Sequence, residues 1–190
     1  MMRVREVFTR YPLIRGMVSY SLIWPTSAFI QQKIVGTQWD SIDWAKCVRF
    51  SIYGGFYVAP TLYTWIRISS RLFPQNTLRA AVSKGLLEQI SYTPIAMTSF
   101  YFLMSLLEGK SIEGGVDEVK SKFWPTYKAA MCIWPAVSTF NFALVPEKNR
   151  VVFISVCSLM WTCFLAYMKQ LSIETETNAS NTTQFEQHNN

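Results

Sequence analysis

Five long stretches of the chain contain no Lys, Arg, Asp or Glu, and this feature limits the fold more than any other. They span residues 16–32, 50–66, 89–107, 129–146 and 151–168, each 17 to 19 residues long. A membrane-spanning helix needs about 20 mostly apolar residues, and long charged side chains at its ends can reach the interface. The sequence therefore predicts an all-α fold, a polytopic membrane helix bundle with four to five transmembrane helices.

The distribution of polar residues divides the chain into one domain and a tail. Charged residues make up only 16% of the chain, against roughly 25% in soluble domains. Residues 1–170 are predicted to form a single transmembrane helical domain. Residues 171–190, LSIETETNASNTTQFEQHNN, are almost free of large apolar side chains and are predicted to be a disordered polar tail.

Four of the charge-free stretches contain a proline and the fifth follows one closely, and proline removes one backbone donor from a helix. The five prolines are Pro25, Pro60, Pro94, Pro135 and Pro146. In lipid, neighbouring helices or water must satisfy the carbonyls that are freed. Several of the predicted spans should therefore be kinked.

Residue counts exclude most kinds of site chemistry. The only histidine, His188, lies near the C-terminus, and the four cysteines form no CxxC pair. No residue set suits histidine-based catalysis or a zinc site, and no phosphate-binding or dinucleotide-binding motif is present. We therefore expect no enzyme activity, metal or cofactor. The net charge of +6 is typical of Lys and Arg at helix ends facing anionic lipid headgroups, and we expect lipid partners rather than nucleic acid.

A polar stripe follows the third charge-free stretch. Its members recur at spacings of three and four, which places them on one helical face: Lys84, Glu88, Ser91, Pro94, Thr98, Tyr101 and Ser105. Such a face lines a pore or packs against another helix. For Glu88 the alternatives are a functional group at the membrane boundary and a salt bridge to Lys84 one turn away.

The run at 124–150 resembles the signature of the Mpv-seventeen/peroxisomal membrane protein family, W..Y…WP..Q..NF..VP...R. The residues that match are Trp124, Tyr127, Trp134, Pro135, Asn141, Phe142, Val145, Pro146 and Arg150. Ser138 stands where the family usually has Gln. Further blocks agree with the resemblance, namely Gln31-Gln32, then Asp43, Trp44, Arg49, Pro60 and Trp65, then Lys84, Glu88, Gln89 and Pro94.

The resemblance covers roughly residues 10–169 and implies a small all-helical membrane protein, usually described with four spans. It also implies the mitochondrial inner membrane or, alternatively, the peroxisomal membrane. Relatives are described as channels for small solutes and are linked to reactive-oxygen metabolism and mitochondrial DNA maintenance. The arginines at the start of the chain, Arg3, Arg5, Arg10 and Arg15, slightly favour the mitochondrion.

We therefore expect an organelle-membrane pore for small solutes. Glu88 and Gln89 are predicted near its mouth and Ser91, Thr98 and Tyr101 along its wall, with Arg49 and Lys84 attracting anionic solutes. The expected partners are membrane lipids, the solutes and a second copy of the chain. The alternative is a non-conducting structural or interaction protein of the mitochondrial inner membrane.

Overall fold

The described part of the chain is built from helices joined by short turns. The computed structural model describes residues 11–75, 77–145, 153 and 156–170. In chain order the helices are α1 (Pro12–Ile34), α2 (Trp44–Ile52), α3 (Ala59–Leu72), α4 (Leu78–Ile90), α5 (Tyr92–Leu107), α6 (Ile112–Leu144) and α7 (156–170). A 3-10 turn covers Trp39–Ser41, and the π-helical segment Tyr53–Val58 joins α2 to α3. The predicted all-α fold is confirmed for these residues, which include no strand.

The chain runs along the bundle in five alternating passes: α1, then α2 with α3, then α4 with α5, then α6, then α7. The hydroxyl of Ser51 donates to the carbonyl of Ser21 across α1 and α2, which run antiparallel. Side chains at the ends of α1 and α7 meet where Gln31 donates to Gln170 over 2.7 Å. The five passes correspond to the five charge-free stretches.

Within the described chain, one pass has the length and the apolar composition that a membrane-crossing segment needs. No single helix there is both long and apolar enough to cross a bilayer, but Val82–Ile90 and Tyr92–Leu107 meet these criteria as a bent pair. The predicted number of transmembrane helices stays a prediction.

The break between α4 and α5 corrects the prediction that the polar stripe from Lys84 to Ser105 lies on one face of a single helix. The two helices meet at Ser91 and are bent by 43°. Pro94 explains the break, because it lacks the N–H that would donate to the carbonyl of Ile90. Pro60 lies just after the π-helical segment, where its missing N–H disturbs the second pass in the same way.

Proline does not interrupt α6, which is one helix of 33 residues that contains Pro125 and Pro135. Most of the fourth charge-free stretch, residues 129–146, forms the second half of this helix. Pro146, Arg150 and the predicted tail lie outside the described residues, as do the side chains of Asn141 and Phe142.

An aromatic core holds the passes together. The Trp24 ring lies 5.2 Å from that of Tyr53 and 5.8 Å from that of Phe100, measured between centroids. Gly54 and Gly55 let α1 approach this closely, because a Cβ at Gly54 would lie 2.6 Å from Cγ of Trp24. Small residues at a helix contact are typical of membrane bundles.

Replacing Gly54 by Ala should therefore destabilise the fold. The added methyl group meets the buried Trp24 ring, and overpacking of this kind costs about 1–3 kcal/mol. Gly85→Ala is the matched control, since nothing lies within 4 Å of the added Cβ there and Ala is the better helix former. The measurement is the unfolding midpoint in detergent, and an equal shift in both variants would contradict the packing argument.

Candidate functional site

The predicted pore residues near the helix break do not form the salt bridge that the sequence offered. Lys84 and Glu88 are both half-buried, and no ion pair joins them in the part of the chain that is described. Glu88 instead lies within electrostatic range of Tyr20 and Tyr92. Gln89 is buried, and its carbonyl accepts a hydrogen bond from the hydroxyl of Tyr127 over 2.9 Å.

The other stripe residues point in different directions. The Ser91 hydroxyl donates to the carbonyl of Leu87, and Thr98 is exposed. Tyr101 is fully buried and hydrogen-bonded to Thr126 of α6 over 2.6 Å. These side chains contact different neighbours, and their role in a pore stays a prediction.

Arg49, the remaining candidate, lies at the other end of the bundle in a dense group of charged residues. The starts of α2 and α6 meet the ends of α5 and α7 there. We call this group the charge cluster: Asp43, Lys46, Arg49, Glu108, Lys110, Glu118, Lys122 and Lys169.

The centre of the charge cluster is the ion pair of Lys169 and Glu118. Lys169 Nζ lies 2.7 Å from Oε2 of Glu118 and 3.1 Å from Oε2 of Glu108. The side chains of Lys169 and Glu118 are each 1% exposed. Lys169 also donates to the Ser105 hydroxyl oxygen over 2.9 Å, and that hydroxyl donates to Glu118. One lysine of α7 therefore joins the end of α5 to the start of α6.

Lys122 and Lys110 add two more cations around Glu118. Lys122 Nζ lies 3.4 Å from Oε1 of Glu118, and Lys110 Nζ lies 3.4 Å from Oε2. Lys122 also donates to the carbonyls of Met168 and Lys169 at the end of α7. Glu118 thus holds three ammonium groups from three parts of the chain.

Arg49 connects this centre to the second pass. Its guanidinium lies 3.7 Å from Glu108 and 3.4 Å from Asp43. Asp43 caps the start of α2, where its carboxylate accepts the backbone N–H of Lys46 over 2.8 Å. That capping bond satisfies one of the free donors at a helix start and fixes the position of the carboxylate for Arg49.

Lys46 is a buried lysine of the charge cluster whose ammonium group binds a side-chain amide and a backbone carbonyl. Its Nζ donates to Oε1 of Gln31 over 2.8 Å and to the carbonyl of Ala166 at 3.5 Å. Gln32 accepts the backbone N–H of Asp43 over 2.7 Å. Gln31 and Gln32, which the resemblance singled out, therefore bind the end of α1 to the charge cluster.

Burial and charge act in opposite directions on Glu118. Burial raises the pKa of its carboxyl, but hydrogen bonds from Lys169 and Ser105 and the positive charges of Lys169 and Lys122 outweigh it. The pKa of Glu118 falls to about 2. Burial lowers the pKa of the Lys122 ammonium to about 8, despite the nearby Glu118 carboxylate. At neutral pH the cluster therefore keeps Glu118 ionised.

Sequence reasoning missed Glu118, Lys122 and Lys169. Glu118 and Lys122 lie between the third and fourth charge-free stretches, and Lys169 directly follows the fifth, so no apolar stretch or polar stripe pointed to them. The spacing of four between Glu118 and Lys122 favours an ion pair on one helix face, but it gives no sign of burial. Within the described ranges, no three His, Cys, Asp or Glu side chains are grouped so that they could hold a metal ion.

Removing the central cation should cost far more than removing a surface cation. Lys169→Met leaves Glu118 and Glu108 buried without the cation that joins them, and breaking a buried pair costs about 3–5 kcal/mol. Lys120→Met is the control, because its pair with Asp117 is exposed and such pairs contribute about 0–1 kcal/mol. Chemical unfolding in detergent measures both, and similar losses would show that the cluster adds no stability.

The charge cluster also predicts acid sensitivity. A carboxyl whose pKa is lower in the folded state than in the unfolded state stabilises the fold above its unfolded pKa, about 4.3 for Glu. This stabilisation is lost as the pH falls towards the folded value of about 2. Unfolding midpoints between about pH 5 and pH 2 should therefore fall more steeply for the wild type than for Glu118→Gln.

The exposed Glu113→Gln variant is the control for this pH series, because Glu113 lies in the first turn of α6, in solvent. It should keep the acid dependence of the wild type. A Glu118→Gln variant with an unchanged slope would remove Glu118 from the acid response.

Comparison with known proteins agrees with the motif at 124–150. The family model described as the Mpv17 / PMP22 family matches residues 105–166. An Mpv17-like protein of Xenopus laevis is 30% identical over 173 residues, which cover 90% of this chain and 84% of the relative. Protein sym1 of Aspergillus oryzae is 28% identical over 159 residues, 83% of this chain and 90% of the relative.

A third relative, an Mpv17-like protein of Bos taurus, is 28% identical over 161 residues, which cover 85% of this chain and 80% of the relative. No solved structure matches the chain. The length and identity of these matches confirm the resemblance seen in the motifs. The chain belongs to the Mpv17 / PMP22 family of organelle-membrane proteins.

Proposed function

We propose that the chain forms a pore for small solutes in an organelle membrane, and that the charge cluster controls entry at one end. The mitochondrial inner membrane is the proposed location, with the peroxisomal membrane as the alternative. The observation that carries the proposal is the meeting of eight charged residues where the passes of the bundle come together, with Lys46, Glu118, Lys122 and Lys169 buried. The proposed partners are lipids, small solutes and a second copy of the chain, without an enzymatic step.

Burial of charge supports a functional role for the cluster. Ionisable groups within a membrane protein cost free energy and face the interior of the bundle or a water-filled path. Replacing a buried ion pair by apolar residues is often neutral or stabilising. Stability alone therefore gives a weak reason to keep Lys169 and Glu118, whereas control of a solute path gives a direct one.

The balance of charge favours anionic solutes. The cluster contains five cations and three acids, and an excess of positive charge attracts anions over the range of a Debye length. Lys169, Lys122 and Lys110 already pair with Glu118. An anion would enter by exchanging with one of these carboxylate contacts, so this arrangement is the closed one.

The bend between α4 and α5 is the second part of the proposed path. Glu88, Gln89 and Ser91 lie at this bend, where Pro94 frees a backbone carbonyl. Non-helical backbone at membrane depth is tolerated where it is buried in protein or lines a water-filled cavity. Lys84 lies one turn before Glu88 and adds a positive charge to the same region.

The test is current through the purified chain in a planar bilayer under a salt gradient. Discrete conductance steps are expected, and Arg49→Gln should shift the reversal potential towards higher cation permeability because it removes a cluster cation. Arg67→Gln is the matched control, since Arg67 is an exposed arginine of α3 over the Tyr63 ring. Its reversal potential should equal that of the wild type.

Glu88→Gln tests the bend separately. A shift of the reversal potential towards anions would support a place for Glu88 in the path, and an unchanged value would remove it. Bilayers without current, from protein whose circular dichroism shows folded helices, would contradict the pore as a whole.

The second candidate function is a non-conducting structural or interaction protein, and hydrogen bonds between the passes favour it. The Tyr57 hydroxyl donates to Ser99 over 2.5 Å, and Thr61 and Tyr92 are hydrogen-bonded over 3.1 Å. Polar side chains that bond one helix to another need no water. Cysteines placed at Glu88 and Ser91 decide between the two functions, because a charged, water-soluble thiol reagent reaches them only along a water-filled path.

A further inference from the structure

Three tryptophans stand out because their large side chains face outwards. Trp39 is 68% exposed, Trp44 is 62% exposed and Trp124 is 59% exposed. Trp24, in contrast, lies in the core and is 7% exposed. Neither the pore nor the packing of the bundle accounts for the three exposed indoles.

Two of these tryptophans form an ordered aromatic patch around the connection between α1 and α2. The Phe29 ring lies 5.9 Å from that of Trp39 and 6.1 Å from that of Trp44. Lys33 places its ammonium 4.1 Å from the centre of the Trp39 ring and donates to the carbonyl of Thr37. The patch is therefore a preformed surface that combines apolar rings with a cation.

The charge cluster relates the heights of Trp44 and Trp124 in the bundle. Lys46 and Lys122 both contact the last turn of α7, at the carbonyls of Ala166 and of Met168 and Lys169. Helices α2 and α6 both begin at this end, so Trp44 lies about 3 Å further out than Lys46, and Trp124 lies about 3 Å further in than Lys122. The two indoles therefore lie in one layer of the bundle about 6 Å deep.

The two groups of tryptophans lie on parts of the bundle that do not share a main contact. Helix α2 packs chiefly on α1, whereas α6 packs chiefly on α5 and α4. A protein partner covers one side of a bundle, but lipid surrounds all of it. Exposed indoles at one level on separate helices therefore fit a lipid layer better than a docked protein.

The chemistry of the indole ring indicates which layer of the lipid bilayer surrounds these tryptophans. Its large apolar ring favours removal from water and its N–H favours a polar partner, so Trp concentrates between the lipid headgroups and the hydrocarbon. Lys33 beside Trp39 supplies a positive charge for the lipid phosphate. Beyond this level towards the chain turns lie acidic residues such as Asp117 and Glu113, exposed on α6.

We propose that Trp39, Trp44 and Trp124 form a belt in the phospholipid headgroup layer, which fixes the charge cluster at the boundary between membrane and water. The belt sets the depth of the bundle in the bilayer. It makes no use of solute conduction, so it holds for a pore and for a structural protein alike.

Three exposed positions of α6 provide a depth scale for the test. Glu113, Trp124 and Met131 follow one another along the helix, with axial steps of about 16 Å and about 10 Å. Each is replaced by Cys, one at a time, in a chain whose native cysteines Cys47, Cys132, Cys157 and Cys163 are Ala or Ser. A nitroxide label is attached in phosphatidylcholine–phosphatidylglycerol vesicles, and collisions with oxygen and with a water-soluble nickel complex are compared.

The expected order is water at Glu113→Cys, the headgroup boundary at Trp124→Cys and hydrocarbon at Met131→Cys. Labels at Trp39→Cys and Trp44→Cys should also report the headgroup layer, at the depth of the label at 124 or up to about 6 Å nearer the water. Aqueous values at 39 and 44, or hydrocarbon values at all three tryptophan positions, would overturn the belt. Low collision rates with both probes would also overturn it, because they would show that protein covers the patch.

The unlabelled chain gives an independent measurement that needs no cysteine substitution. Lipids with a nitroxide near the headgroup should quench the tryptophan emission of the wild type more strongly than lipids with a nitroxide deep in the acyl chain. This difference should shrink in Trp39→Phe/Trp44→Phe, which keeps aromatic rings at both positions. An equal difference in wild type and variant would contradict the proposal even if the labelled chains failed to fold.

Discussion

The ion pair between Lys169 and Glu118 is the interaction on which the arrangement of the bundle most depends. Both side chains are almost fully buried, and the pair joins α7 to α6, while Ser105 and Glu108 extend the contact to α5. Removing charges from water is costly, and the mutual attraction repays the cost only with good geometry and further hydrogen bonds. Here those bonds come from several passes at once, so a shift of any one pass along its axis would leave a buried charge without its partner.

The apolar half of the bundle is held together by a different kind of contact from the charged end. Around Trp24 the contacts are between rings, and Gly54 and Gly55 provide the space in which the rings meet. Such contacts are strong in sum but tolerate sliding better than an ion pair does. The aromatic core therefore supplies area and close packing, whereas the charge cluster defines which residues are neighbours.

The sequence predicted the local features well and the distant contacts poorly. Charge-free windows gave the all-helical fold and the approximate course of each pass, because a helix in an apolar setting is a local requirement. Proline positions predicted disturbance, but they did not distinguish the break before Pro94 from the unbroken helix through Pro135. The outcome depends on which neighbours accept the freed carbonyl.

The same limit applies to the candidate site. Arg49 was singled out in advance, but its partner Glu108 was not, and the pairing of Glu118 with Lys169 joins segments far apart in the chain. A lysine at the end of an apolar stretch has the same local pattern whether it extends to the surface or turns inward. Periodicity identifies the face of a helix, and only the packed structure identifies what that face meets.

The π-helical segment Tyr53–Val58 and the break at Ser91 occur in neighbouring passes, and each divides its pass into two helical segments. On one side of these two joints lies the end held by ionic contacts, and on the other lie α3 and α4. Sharp changes of helix direction occur where proline or a π-helical turn interrupts the regular hydrogen bonding. These two joints therefore set the directions of α3 and α4 independently of the ionic contacts that fix the opposite end.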